Sequence, residues 1–319
     1  MSTAAPEAPS STAELASSER SLRLLELTIN RKLDGLIHGD HQSIALGAGS
    51  EGGEGRLYQP GDDVRRIDWN LTARSGDVHV RNTIAERELE TWFVIDGSAS
   101  LDYGTARQEK RDLAASVIGA FGFLVVRAGN RIAAVVTDDQ ERSDQDRGDQ
   151  SRGNGTRVVP PRAGRAAVLD LVVRLQRRGR TTGEGGTLAD ALRKVRLLAR
   201  RRGLVIVVSD LLDDSDWPSE LRSLTARHDV IVAHITDPRE DEIPNVGMLA
   251  LVDPETGQRR EVQTGSKKFR ERYAAAAAER RSTIDERLRR SRAQHLQVST
   301  DRDWLRDVVH HIASRRRRR

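Results

Sequence analysis

The sequence of 319 residues contains no cysteine. A disulfide framework, thiolate-bound zinc and a cysteine nucleophile are therefore excluded. Aromatic side chains make up only 3% of the chain, too few for rows of base-stacking platforms. Long apolar runs are also missing. Stretches such as Leu204 to Val208 are far too short to cross a bilayer, and the first residues show no basic segment followed by an apolar one. A cytoplasmic location is the simplest expectation. Hydrophobic residues still reach 37%, enough over this length to bury the core of one large domain or two small ones.

The 53 basic and 48 acidic residues leave a net charge of +5. Removing Arg315 to Arg319 alone returns it to zero (5 − 5), so the excess is terminal and not a property of the fold. Arg270 to Arg292 adds a locally basic stretch. Nucleic acid is therefore disfavoured as the main ligand, and the arginine tail reads as a solvated end with weak affinity for anionic surfaces.

Residues 1–18 are rich in Ala, Ser and Pro and lack apolar periodicity, as expected of a disordered tail. Leu22, Leu25, Ile29, Leu33 and Leu36 then recur mainly at helical spacing, and Gly39 marks the stop. An N-terminal helix and an extended segment thus occupy 19–88. From Glu88 short apolar runs alternate with helix-length segments, the pattern of a mainly parallel α/β sheet with helices on both faces. Strands are expected at Thr91–Asp96, Arg131–Thr137, Arg157–Val159, Leu204–Asp210, Val230–Thr236, Leu249–Asp253 and Leu296–Ser299. Helices are expected near Ala106–Ala128, Arg165–Arg177, Thr187–Arg201, Pro218–Arg227, Lys267–Arg292 and Asp303–Ile312. This main domain covers 89–313, with 314–319 as a basic tail. Asp138 to Gly155 is polar and low in complexity, an insertion between strands.

Asp96-Gly97-Ser98-Ala99-Ser100 follows an apolar strand directly and brings one carboxylate and two hydroxyls onto a single turn. In an open parallel sheet, ligands bind outside the carboxyl ends of the strands, where this turn falls. Oxygen-only donors suit Mg2+, Mn2+ or Ca2+ better than zinc or copper. Two later features fall at the same end of the sheet: Thr187 in the glycine loop Gly185-Gly186-Thr187, and Asp210 after the strand Leu204–Val208. Taken singly, Thr187 reads as a helix cap and Asp210 as a turn residue; their joint occurrence in this order favours a site.

This order resembles the metal-ion-dependent adhesion site (MIDAS) of von Willebrand factor type A domains. The resemblance implies that Ser98, Ser100 and Thr187 offer hydroxyl oxygens, that Asp96 and Asp210 bind directly or through water, and that a partner carboxylate completes the shell of a Mg2+ ion, with Mn2+ or Ca2+ as alternatives. Upstream, Tyr58-Gln59-Pro60-Gly61-Asp62-Asp63-Val64-Arg65-Arg66-Ile67-Asp68-Trp69-Asn70, then Thr72-Ala73-Arg74, resembles the signature of the domain-of-unknown-function 58 (DUF58) family, a bacterial group with a von Willebrand A-like domain. Val159-Pro160-Pro161-Arg162 and Asp237-Pro238-Arg239-Glu240 extend the resemblance across about residues 20–312, although Leu101 stands where a methionine often follows the serine motif. Arg65, Arg66, Asp68, Trp69 and Arg74 read either as an ion-pair lattice around Ile67 and Trp69 or as a docking surface for an acidic partner.

The family resemblance implies a protein partner, a MoxR-type AAA+ ATPase, for which the chain would be an adaptor that recruits client proteins for maturation or remodelling. Enzyme readings find little support. Ser98 stands where a haloacid dehalogenase needs its second carboxylate, and neither a P-loop nor a Gly-x-Ser-x-Gly elbow occurs. The alternatives are an anionic-surface or nucleic-acid binder using the basic C-terminal helix and tail, and, further off, a metal-assisted hydrolase.

Overall fold

The computed structural model describes residues 27, 56–60, 64, 67–80, 89–137, 152–153, 155–177, 185–252 and 258–318. The tail at 1–18, most of the first expected helix and most of the 138–155 insertion lie outside them. Upstream of the main sheet, β1 (Arg56–Leu57) and β2 (His79–Val80) pair antiparallel around α1 (Trp69–Ser75). Asp68 caps α1, accepting the backbone N–H groups of Asn70 and Leu71, and Gly76 ends it in the left-handed region at φ 82°.

The β-branched runs of the main domain form β3 (Glu90–Ile95), β4 (Arg131–Thr137), β6 (Thr156–Arg162), β7 (Leu204–Ser209), β8 (Asp229–Thr236) and β11 (Gln294–Ser299), with the two-residue β5 (Arg152–Gly153) at one edge. Their order is β11-β8-β7-β3-β4-β6-β5. All central pairings are parallel, and only β6 and β5 run antiparallel to their neighbours. Pro160 and Pro161 lie in β6 beyond the reach of β5 and beside a register shift against β4, so neither removes a ladder bond from a central strand.

Strand alternation sorts the apolar side chains into two layers. Phe93, Ile95, Ile206, Val208 and Ile231 face α2 (Lys110–Arg127), α3 (Arg165–Arg177) and α7 (Trp304–Arg318). Trp92, Val94, Val205, Val207 and Val232 face α4 (Leu188–Leu198), α5 (Trp217–Thr225) and α6 (Lys267–Ser291). Each fully buried side chain of this size stabilises the fold by about 2 kcal/mol. The expected α/β architecture, with helices on both faces of a mainly parallel sheet, is the observed one.

Two expectations need correction. The strand expected at Leu249–Asp253 is β9 (Met248–Val252), which pairs antiparallel with β10 (Arg259–Gln263) in a separate two-stranded sheet. Its residues alternate between exposed and half-buried, and Met248 is 62% exposed, unlike the continuously buried strands at the centre of the main sheet. The last helix, expected over Asp303–Ile312, also runs further than expected. Backbone helix continues to Arg318, since arginine is a good helix former and nothing in Arg315 to Arg318 breaks α7.

Candidate metal centre

β3 has β4 on one side and β7 on the other, so chain crossovers leave β3 in opposite directions and open a crevice at the carboxyl ends of β3 and β7. Asp96 leaves β3 there and Asp210 leaves β7. Both are buried, at 2% and 1% exposure. Ser98 N–H donates to Asp96 Oδ1 at 2.9 Å, and Ser209 Oγ donates to Asp96 Oδ2 at 2.6 Å. Gly97 N–H donates to Thr137 Oγ1 at the end of β4, which pins the turn from its other side. Ser98 Oγ and Ser100 Oγ share a hydrogen bond of 2.9 Å, and Ser100 also hydrogen-bonds the Asp210 side chain. Four of the five expected ligands thus belong to one connected cluster.

Thr187 has a different engagement. Its Oγ1 accepts the Asp190 N–H at 3.1 Å and donates to Asp190 Oδ2 at 2.7 Å, as the N-cap of α4. The same helix start is tied to the loop after β7 by the Leu188 N–H to Asp213 Oδ2, at 2.6 Å. Gly186 fixes the approach of this loop to the sheet, since a Cβ there would sit 1.9 Å from the Gly155 carbonyl oxygen. Gly186→Ala is therefore expected to cost about 2 kcal/mol by forcing the two backbones apart; urea denaturation checks it, and a cost below about 0.5 kcal/mol would mean that the contact is easily relieved.

A residue that sequence reasoning passed over sits in the centre of the cluster. Lys110, at the start of α2, is only 2% exposed, and its Nζ donates to Asp210 Oδ2 at 2.7 Å and to Glu240 Oε1. Glu240 belongs to a capping box with Asp237, which in turn accepts Thr105 and Thr300 hydroxyls at 2.6 and 2.7 Å. Electrostatics follow from this arrangement. Burial alone would raise Asp210, but the Lys110 ammonium outweighs it and holds the carboxyl below its ordinary value. Burial would lower Lys110, and Asp210 and Glu240 reverse that. Asp96 has no cation of its own, so burial and then the charge of Asp210 push it up to about 6. Three carboxylates against one ammonium leave an excess of two negative charges when all are ionised.

The donors fit a hard divalent cation: every candidate atom is a carboxylate or hydroxyl oxygen, and the excess negative charge is buried. Among the described residues, no group of three or more His, Cys, Asp or Glu forms a metal cage by itself, so the centre depends on its serine hydroxyls.

Of the remaining expected residues, Asp68, Trp69 and Arg74 belong to α1 and its cap. Arg65 and Arg66 lie outside the described residues. Asp68 serves α1 as its cap, Arg74 is exposed in the last turn of α1, and Trp69 is 70% exposed. The charged residues Asp62, Asp63, Arg65 and Arg66 expected around Ile67 and Trp69 lie outside the described residues. On α6, basic side chains are interleaved with acids: Lys267 pairs with Glu271 at 3.6 Å, Arg281 with Asp241 at 2.7 Å, and Arg290 with Glu286. Such pairing dilutes the basic face that a surface binder would need. No helix among the described residues is long and apolar enough to cross a membrane.

Sheet order, antiparallel edge and an oxygen-rich turn at the switch point define a von Willebrand A-like α/β protein. The chain belongs to the family described as protein of unknown function DUF58, which matches residues 54–283. It is 44% identical over 299 residues to the uncharacterized protein Mb1516 of Mycobacterium bovis, covering 93% of this chain and 89% of that protein. The uncharacterized protein Rv1480 of Mycobacterium tuberculosis is similar to the same extent. Among solved structures, BatB from Bacteroides thetaiotaomicron matches with a TM-score of 0.41 and 9% identity, over 72% of this chain and 99% of that one. An aerotolerance-related membrane protein from Bacteroides fragilis matches with a TM-score of 0.42 and 12% identity, over 71% and 99%.

Proposed function

We propose that this chain is a MIDAS-type, metal-dependent protein-interaction module and not an enzyme. One observation carries the reading: two buried carboxylates, Asp96 and Asp210, converge with the Ser98 and Ser100 hydroxyls at the switch point, with more negative charge than Lys110 cancels. Asp96, Ser98, Ser100 and Asp210 would hold the cation, and Thr187 would join them on releasing Asp190. Mg2+, or Mn2+ or Ca2+ in its place, would supply an open coordination position for a carboxylate of the partner. The chain's own part is to fix the oxygens. Ser209 and the Ser98 N–H orient Asp96, Ser100 orients Asp210, and the surrounding loops select the partner.

Family membership and the absence of nucleotide motifs in the sequence support a MoxR-type AAA+ ATPase as that partner, with the chain as a cytoplasmic adaptor presenting clients for maturation or remodelling. Ser98→Ala is the suitable test, because it removes one ligand without unpairing a buried charge. In a pull-down from the native lysate with Mg2+, the wild-type chain is expected to retain the ATPase. EDTA and Ser98→Ala are each expected to weaken retention about ten-fold or more. Equal retention in all three conditions would show the metal to be incidental and would direct attention to Trp69 and Arg74.

A further inference from the structure

The position of Lys110 is unusual for a lysine. It lies at the base of α2, in line with Leu113, Ala114 and Val117 on the buried stripe of that helix, and not on a solvated face. A buried ammonium is costly unless both its charge and its donors are matched. Here the match comes from one carboxylate of the candidate metal cluster, Asp210, and one outside it, Glu240. Glu240 is itself held from behind, its Oε2 accepting the Asp237 N–H at 3.2 Å. The ammonium therefore bridges the cluster to a separate, anchored carboxylate.

We propose that Lys110 is a resident cation of this centre: its ammonium holds Asp210 while no divalent ion is bound, and competes with a divalent ion for that carboxylate. The inference rests on the metal-site reading given above and adds its regulation. The ammonium sits on Asp210 Oδ2 while Oδ1 accepts the Leu212 N–H at 3.2 Å, so Lys110 and a metal would contest the same carboxylate. Two cations on one carboxylate repel each other at short range. Glu240 gives the displaced ammonium a place to remain without leaving the protein interior. Two consequences follow. The fold does not need metal to neutralise Asp210, and metal affinity is set lower than the oxygen donors alone would give.

Titration of the full-length protein with Mn2+ tests this, comparing wild type with Lys110→Met, which keeps an unbranched side chain without charge. The variant is expected to bind Mn2+ about ten-fold tighter or more. Its unfolding midpoint is expected to rise more between EDTA and Mn2+ than that of the wild type does. Equal or weaker binding by the variant would overturn the proposal while leaving the metal site in place. Absence of Mn2+ binding to either chain up to millimolar concentration would instead remove the metal reading, and the competition with it. Should Lys110→Met fail to fold, wild-type protein answers the question. The proton–nitrogen resonance of the buried Lys110 ammonium is expected to move as Mg2+ is added, in step with the Asp96 and Asp210 carboxyl carbons. Carboxyl carbons that respond while the ammonium does not would refute it.

Discussion

Replacing Asp210 with alanine is expected to lower the unfolding free energy by about 3 kcal/mol in metal-free buffer at neutral pH. The substitution leaves the Lys110 ammonium in a site with 2% exposure, with Glu240 as its one remaining carboxylate partner. It also releases the Leu212 N–H and the Ser100 hydroxyl from the acceptor they share. Unpairing a buried ion costs more than the pair contributes, because the survivor stays desolvated without compensation. Glu240, at 31% exposure, softens the loss, which places the effect at the lower end of the range for broken buried pairs. Urea denaturation measures it. The double variant Asp210→Ala with Lys110→Met is expected to recover more than half, since it removes the stranded charge together with its partner. A cost below about 1 kcal/mol, with no recovery in the double variant, would mean that the ammonium does not depend on Asp210. A binding defect in Asp210→Ala would therefore mix loss of a ligand with loss of stability.

The candidate centre was partly legible in the sequence because most of its ligands are punctuation marks. Asp96, Ser98 and Ser100 follow one apolar run, and Asp210 follows another. A parallel sheet brings the ends of such runs to one side whatever the lengths between them. Lys110 was not read, because Gln108 to Asp112 looks like a solvated helix start. Its spacing to Leu113, Ala114, Val117 and Phe121 was the available signal, placing it on the apolar stripe of α2. Glu240 gave none, since it meets Lys110 from 130 residues away and only after β8 has been threaded beside β7. Helix α3 and strand β4 fall on their expected ranges, α3 through the helical spacing of Val168, Leu171, Val172 and Leu175 and β4 through its nearly continuous buried run. The strand expected at Leu249–Asp253 was assigned to the wrong sheet, and β10 was not read at all, because Leu249, Leu251 and Val252 give an apolar run that is the same whether a helix covers it or solvent does. Packing decides that, and packing is not local.

Two buried groups should tilt stability against pH in opposite directions. Burial, and then the charge of His295 stacked at 5.5 Å, holds the His234 imidazole down to about 4 from 6.5, against the opposing pull of the Asp210 charge, a hydrogen bond to the Asp210 backbone and, more weakly, Asp285. The unfolded chain takes up this proton near pH 6.5 and the folded chain does not. This contribution is therefore complete above pH 6.5 and is lost as pH falls toward 4, a difference worth about 3 kcal/mol. Asp96 acts in reverse. Its carboxyl, pushed up to about 6, keeps a proton that the unfolded chain has released from 3.8 upward, so its contribution is complete below 3.8 and is lost as pH rises through 6. That too amounts to about 3 kcal/mol. Between pH 4 and 6 these two contributions oppose each other and largely cancel in the metal-free wild-type protein. Asp96→Asn should leave the histidine term exposed, with stability falling toward acid. His234→Gln should leave the carboxyl term exposed, with stability rising toward acid. Saturating Mg2+ should flatten that rise, because a cation on Asp96 favours the ionised carboxylate in the folded state. Chemical denaturation of the three proteins across this range measures the slopes. Slopes that differ from the wild type's in the same direction in both variants would mean that these groups do not titrate as their surroundings require, and a rise unaffected by Mg2+ would place Asp96 outside any metal site.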